Sequence, residues 1–344
     1  MKSVLFIVKA KETYGMWNPY SYTANSSSGL LNSVELLSKA LAEAGIVSRH
    51  IEVQDNNSID KYVTLYKPDV VFIEALWVVP SKFDVLVPLH PRVKWIVRLH
   101  SESAFLAQEG IAMEWIAAYV QKRNVSVVSN SSRLYHELNE VFHPLGARIG
   151  YAPNFYPLDE PNKKGTGTKG VVNIGCFGAI RPLKNQLIQA HAAIKFAQDK
   201  GLKLRYHINS SRSELAGDSV IRNIRGLFAA LPQHELVELP WLDHVDFVKY
   251  IAENIDLALQ VSFTETFNIV GADVVSQNVP IVTSAEVRFV LKMFQADPTD
   301  LYDIVKKMKR AWFWRHVGLH NLNKWLLKML SDHAICVWKD LLKK

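Results

Sequence analysis

Short runs of β-branched and apolar residues alternate with longer amphipathic segments along this whole chain, and that alternation leaves few folds open. In the first half the strand candidates are SVLFIV (3–8), SRHIEV (48–53), DVVFIEA (69–75), VKWIVRL (93–99) and VSVVS (125–129). In the second half they are VVNIGCFG (171–178), KLRYHIN (203–209), HELVELP (234–240), DLALQVS (256–262) and VPIVTS (279–284). Most are apolar along their whole length rather than on every other residue. Such strands need cover on both faces, which parallel sheets obtain from the helices that connect their strands. The segment from Leu30 to Gly45, with Leu30, Val34, Leu37 and Leu41 at helical spacing, is the clearest of these helices. The chain therefore reads as α/β, with two Rossmann-like, doubly wound domains in tandem. Its 344 residues agree, because single cores seldom grow beyond about 250 residues.

The boundary falls where the hydrophobic period stops. Residues 153–170, PNFYPLDEPNKKGTGTKG, are rich in Pro, Gly, Asn and Lys and read as a linker between domains at 1–152 and 171–320, with basic amphipathic helices at 321–344 packing back toward the first domain. Gly165, Gly167 and Gly170 spell a G-x-G-x-x-G, but they precede a strand, whereas a dinucleotide fingerprint must follow one. The start, MKSVLFIVKAKETYG, has a short apolar run and then charge, the pattern of a first strand rather than of a signal peptide. Glu74, Lys82 and Asp84 interrupt the best membrane-span candidate, 68–90. Cys176 and Cys336 form neither a disulfide framework nor a metal-ligand spacing. A cytoplasmic location is expected from these features together.

Charge is unevenly placed. Of the net +7, residues 304–344 carry +8, so the remaining chain is close to neutral. The same segment holds Trp312, Trp314, Trp325 and Trp338, four of the nine tryptophans. One reading is a helical segment that packs its aromatics, with Leu322, Trp325, Leu326 and Met329 as the inward face. Two others are a surface for double-stranded DNA, through phosphate contacts and base stacking, and a surface for an anionic membrane.

In open α/β sheets ligands collect beyond the carboxyl ends of strands, and three loops there stand out. In VSFTETFNIVGADVVSQ (261–277), Glu265 precedes a helix expected over 267–277, where it serves either as a capping acid or as a ligand-binding carboxylate. Asp273 lies inside that helix among valines, where an ionised carboxylate needs polar partners such as ribose hydroxyls. In GAIRPLKNQ (178–186), Arg181 and Lys184 crowd the positive end of the following helix, a conflict that a bound diphosphate would resolve and that solvent would also ease. In WIVRLHSES (95–103), His100 falls at the end of a strand, as a structural histidine or a functional one.

Together these segments resemble the retaining glycosyltransferases of the GT-B fold, the Glu-x7-Glu type similar to glycosyltransferase family 4, in which two Rossmann-like domains face a cleft that holds a sugar nucleotide. The Glu-x7-Glu pattern looks like Glu265 to Asp273, the Gly-Arg-Leu-x-x-x-Lys loop looks like Gly178 to Lys184, the Pro-Asn at the domain junction looks like Pro153-Asn154, and the first-domain histidine looks like His100. Four departures accompany the match: Asp273 stands for a glutamate, Ala179 for the loop arginine, Asn268 for a glycine, and KETYGMWNPYSYTANSSSGLL, which keeps Gly15 and Gly29, for the Gly-rich loop after the first strand.

The resemblance implies a metal-independent transfer of a hexose or pentose, with retention, from a nucleotide-diphosphate sugar, a UDP-sugar above all, used as co-substrate without a cofactor. It implies that Glu265 binds the donor sugar, that Thr266, Phe267 and Asn268 offer backbone N–H groups, that Asp273 holds the ribose, that Lys184 and Arg181 stabilise the departing diphosphate, that Gly15 lies in the donor-side loop, and that His100 meets the sugar or acceptor. The compact chain also resembles phage-type enzymes that glycosylate hydroxymethylated pyrimidines in DNA, which would place it in the host cytoplasm. A membrane-peripheral transferase acting on a lipid-linked or polysaccharide acceptor, and a non-catalytic nucleotide- or nucleic-acid-binding module, are the other readings.

Overall fold

A computed structural model describes residues 2–10, 29–165 and 167–343. The described chain divides into two compact units, residues 1–157 with 331–344, and residues 158–330.

The first unit is built on six strands: β1 (Ser3–Lys9), β2 (Val47–Val53), β3 (Val70–Glu74), β4 (Lys94–Leu99), β5 (Val125–Ser129) and β6 (Gly150–Tyr151). They lie in the order β2-β1-β3-β4-β5-β6, and every pairing is parallel. Period-2 geometry sorts their side chains into two cores. Leu5, Ile7, Val71, Ile73, Trp95 and Val97 enter one, and Val4, Phe6, Val8, Phe72 and Ile96 enter the other. Both faces are therefore filled, as the unbroken apolar runs require. The sheet gains one strand over the sequence reading: β6 spans two residues, too short for a periodic signal, and its Gly150 sits where a Cβ would come within 2.8 Å of Val128.

The second unit repeats the plan with β7 (Val171–Cys176), β8 (Lys203–Asn209), β9 (Glu235–Leu239), β10 (Leu257–Gln260) and β11 (Ile281–Thr283), all parallel, in the order β11-β10-β7-β8-β9. Lys169 and Gly170 form the turn that enters β7, so the glycine triplet ending at Gly170 lies before a strand and cannot form a dinucleotide loop. Helix Gln186–Lys200 ends at Gly201, which is left-handed at φ 63°.

The last helix, Leu322–Lys343, is shared by sequence between the units, which divide at Ser331. Its inward face differs from the expected one. Asn323, Leu327, Ser331, Ala334, Trp338 and Leu342 are buried, while Leu322, Trp325 and Met329 face solvent. The reason is that both stripes have helical spacing, and the stripe that contains Trp338 holds the better anchor. Trp338 packs on Phe6 and Phe72 at ring-centroid distances of 5.7 and 5.0 Å, lies 5.1 Å from the Arg98 guanidinium, and donates its indole N–H to the Pro153 carbonyl at 2.8 Å. The first unit's core is thus completed by the end of the chain.

Two stability predictions follow from this packing. Trp338→Ala should destabilise the first unit by about 3–5 kcal/mol in denaturant unfolding, since it opens a large cavity beside Phe6 and Phe72 and removes one of the two donors to the Pro153 carbonyl. In the second unit, His207 on β8 lies between the Tyr250 hydroxyl (2.7 Å) and Asn173 Oδ1 (3.1 Å), and burial, aided by the nearby Arg205 charge, lowers its pKa from 6.5 to about 4. The unfolded chain binds the extra proton first, so stability is whole above about pH 6.5 and falls toward pH 4. Thermal melts across that range should lose roughly 3 kcal/mol, a loss that His207→Gln should flatten.

Candidate functional site

The strand order of the second unit places one crevice by topology alone. The chain starts at β7, winds outward through β8 and β9, then returns to β10 and β11 on the other side of β7. The connections after β7 and β10 therefore leave in opposite senses, and the gap at their carboxyl ends is where doubly wound sheets take ligands. Both loops singled out in the sequence open at this place: 177–185 follows β7 and 261–268 follows β10.

The two loops are stitched together by backbone. Phe263 donates its N–H to the Leu183 carbonyl at 3.0 Å, and the Asn185 side-chain amide donates to the carbonyls of Val261 (3.0 Å) and Pro298 (2.8 Å). Gln189 Oε1 accepts from the Val261 N–H at 2.9 Å, and Gln260 donates to the Phe177 carbonyl at 3.0 Å. This places Lys184 Nζ 2.5 Å from Glu265 Oε1, with both side chains nearly buried. Residues 81 apart in sequence thus form one ion pair over the switch point. Glu265 also has its own N–H tied to Glu286 Oε2 at 3.2 Å.

Gly178 is a backbone necessity. Its φ of 107° suits only glycine, and its N–H is held by Asn209 Oδ1 at 3.1 Å. The same reasoning explains Asn268. It is left-handed, φ 64°, and caps helix Ile269–Ser276 by accepting the Gly271 N–H at 2.7 Å. Glycine and asparagine are the residues that enter this region most readily, so Asn268 can fill a glycine's place. The helix begins two residues later than expected because the chain is left-handed at that point.

Electrostatics answers the conflict seen at Arg181 with protein groups. Arg181 lies 3.4 Å from Glu214, which also pairs with Arg212 at 2.5 Å, and the Arg212 guanidinium lies 4.8 Å over the Trp241 ring. Arg181 is therefore already compensated by a carboxylate, and so is Lys184. Asp273 is 3% exposed, and its Oδ1 lies 2.8 Å from His244 Nε2. The partner that the buried carboxylate demanded is a histidine in the first turn of helix His244–Asn254, and His244 is the member of the pair that reaches solvent. His244 carries no conspicuous signal in sequence, being a lone histidine at the start of an amphipathic helix. Cys176, at the end of β7, is buried, and its thiol is pushed up to about 12 chiefly by desolvation, so it is no nucleophile at neutral pH. Thr266 and Phe267 sit in the loop between Glu265 and the helix cap, as their positions in sequence require.

In the first unit His100 follows β4 within a buried polar cluster. Arg98 donates to Glu74 Oε2 (3.2 Å), to the Ala152 carbonyl (2.9 Å), to the Pro153 carbonyl (3.1 Å) and to Asn154 Oδ1 (2.6 Å). His100 Nε2 contacts the same Glu74 oxygen, and its Nδ1 lies 3.3 Å from the Asn130 amide. Burial would raise the Glu74 carboxyl, yet the Arg98 charge beside it holds it below the ordinary carboxylate value. Burial, reinforced by Arg98, pushes the His100 imidazole down. The neutral ring then donates from Nε2 to Glu74 and accepts at Nδ1 from Asn130, so both nitrogens are engaged by protein. Glu74 and Arg98 were not singled out from sequence, because each looks like an ordinary charge at a strand end. Gly15 lies outside the described residues. Among the described residues no cluster of three or more His, Cys, Asp or Glu side chains could hold a metal ion.

No family model matches the chain. No curated protein matches it either. Solved structures do. The N-terminal domain of trehalose-6-phosphate phosphatase from Candida albicans aligns over 100% of this chain and 97% of its own, with a TM-score of 0.68 at 11% identity. Sucrose-phosphate synthase from Thermosynechococcus elongatus aligns over 99% and 98%, with 0.63 at 14% identity. HepE from Anabaena, solved with UDP and glucose, aligns over 100% and 99%, with 0.62 at 12% identity. At these identities the likeness establishes architecture: the chain has the α/β fold of the GT-B glycosyltransferases, with two parallel-sheet units.

Proposed function

We propose that this protein is a retaining glycosyltransferase that moves a sugar from a nucleotide-diphosphate donor, a UDP-sugar in the first instance, to a hydroxyl acceptor. The observation that carries the reading is the Lys184–Glu265 pair at the switch point of the second sheet, on loops fixed by Gly178, Asn185 and Asn268. Support also comes from HepE, whose structure holds UDP and glucose on the same fold.

In this reading the bond between the anomeric carbon and the diphosphate oxygen breaks, and its electron pair leaves with the diphosphate. Lys184, with Arg181 farther out, stabilises that developing charge, the term that dominates when no protein nucleophile takes part. Glu265 keeps the Lys184 ammonium in place and accepts from a sugar hydroxyl. The acceptor oxygen bonds to the same face of the sugar, and its proton passes to the departing phosphate oxygen. Thr266, Phe267 and Asn268 border the diphosphate with backbone groups at the start of a helix. Asp273 acts through His244, because the buried carboxylate orients an imidazole that can reach a ribose hydroxyl. His100, locked by Glu74 and Asn130, meets the sugar or acceptor as a positioned neutral ring rather than as an acid or base.

The acceptor is the finer part of the proposal. The hydroxymethyl group of a DNA base is supported by the basic charge of residues 304–344. A lipid-linked or polysaccharide hydroxyl is supported by the aromatics that the same segment exposes, Phe313 and Trp325. Incubation with a panel of sugar nucleotides, followed by mass spectrometry of hydroxymethylated duplexes, lipids and glycans, separates the two. Absence of nucleoside diphosphate release with every donor and acceptor, from protein that binds the donor, would overturn the transferase reading.

Variants at three positions test the roles. Lys184→Met should lower kcat by about 100- to 1,000-fold with a smaller change in donor KM, since it removes charge stabilisation needed most in the transition state. Asp273→Asn and His244→Ala should each raise donor KM more than they lower kcat, and the double variant should be little worse than either single one. Additive effects in that double-mutant cycle would show that the two side chains act separately.

A further inference from the structure

We infer that the junction of the last two helices is a docking surface for an anionic lipid bilayer. Helix Leu301–Trp314 and helix Leu322–Lys343 are joined by two short 3-10 turns, Arg315–Val317 and Leu319–Asn321, around a left-handed Gly318. Around this junction Phe313 (68% exposed), Val317 (69%), Leu322 (48%), Trp325 (58%) and Met329 (51%) face solvent. Trp314 joins them, edge-on to Phe313 at 5.2 Å. Leu322, Trp325 and Met329 follow a three-four spacing and so form one stripe on the helix side opposite Leu327, Ala334 and Trp338. The helix therefore has a second apolar face that the fold does not cover.

The cluster is held rigidly. Trp312 packs on Phe196 at 5.8 Å, Arg315 lies 3.4 Å over the Trp312 ring, and His320 Nε2 lies 2.8 Å from the Asn278 carbonyl. Arg310 donates to the Met293 carbonyl at 3.3 Å. These contacts pin the junction to its unit while its outer side chains point away.

Charge identifies the occupant. Between Asp303 and Asp332 the chain has seven lysines and arginines and no acid. Lys309 pairs with Asp199 at 2.6 Å, and the formal charge over residues 304–331 remains strongly positive. A second copy of the chain would set like charge against like charge. A nucleic acid would use the cations and the flat rings, but it has no use for Val317, Leu322 and Met329. A bilayer interface rewards all of them: aromatic rings at headgroup depth, aliphatic side chains below and cations against anionic headgroups. The contact so inferred is peripheral, made by side chains at the surface of the fold; among the described residues no helix is long and apolar enough to cross a membrane. It does not depend on the proposed transferase reading.

Co-flotation of the whole protein with vesicles of phosphatidylcholine alone, or of phosphatidylcholine with phosphatidylglycerol, tests this directly. Partition should favour the anionic vesicles, weaken as salt is raised, and drop at least about tenfold in a Phe313→Ser, Trp325→Ser variant. Both positions are exposed, so the variant's thermal melt should match the parent's, and quenching of tryptophan fluorescence by brominated lipid should report insertion in the parent only. The inference fails if the parent ignores anionic vesicles, if the double variant binds them equally well, or if the protein prefers duplex DNA at the same salt. It also fails if sedimentation shows a dimer that the double variant abolishes.

Discussion

Parallel pairing governs this molecule. Parallel strands cannot be joined by tight turns, so each needs a crossover, and the crossovers supply the helices that bury both faces of the sheet. The same constraint sends every strand's carboxyl end to one edge. Ligand-binding loops then gather there without further design, and the winding order decides which two of them flank the gap. In the second unit these are the loops after β7 and β10. Everything specific about the candidate site, from the Gly178 conformation to the Asn185 amide bridging two loops, refines that placement.

A second theme is charge that the protein has already balanced. Lys184 has Glu265, Arg181 has Glu214, Asp273 has His244, and Arg98 has Glu74. Isolated buried charges are costly, and removing one partner of such a pair costs more than the pair is worth. Pairing fixes the orientation of each of these side chains within the fold. It also means that a diphosphate at Lys184 would share that cation with Glu265.

The architecture was readable because its signal is long and redundant: ten strand runs, most of them apolar along their whole length, leave little but two parallel sheets. The eleventh strand, β6, escaped because two residues carry no period. Candidate positions were conspicuous where the local chemistry is unusual, as with a carboxylate among valines at Asp273 or cations at a helix start at Arg181 and Lys184. Their partners were not. His244, Glu214, Glu74 and Arg98 are distant in sequence and ordinary in their local setting, and only folding brings them into contact. The face of the last helix was misassigned for a related reason: two apolar stripes with equal spacing compete, and the outcome depends on Phe6 and Phe72, over 260 residues away.

The route by which Trp338 enters the first core has a consequence for synthesis. Chains usually fold from the amino end, domain by domain, as they leave the ribosome. Here residues 331–344 belong to the unit that begins at residue 1. The core around Phe6 and Phe72 stays incomplete until residues 331–344 have been made, while the second unit, residues 158–330, has its whole sequence available earlier. The usual order of completion is therefore inverted: the unit that starts second has its sequence whole first, and a nascent chain that stalls before residue 331 leaves the first unit's core unfinished.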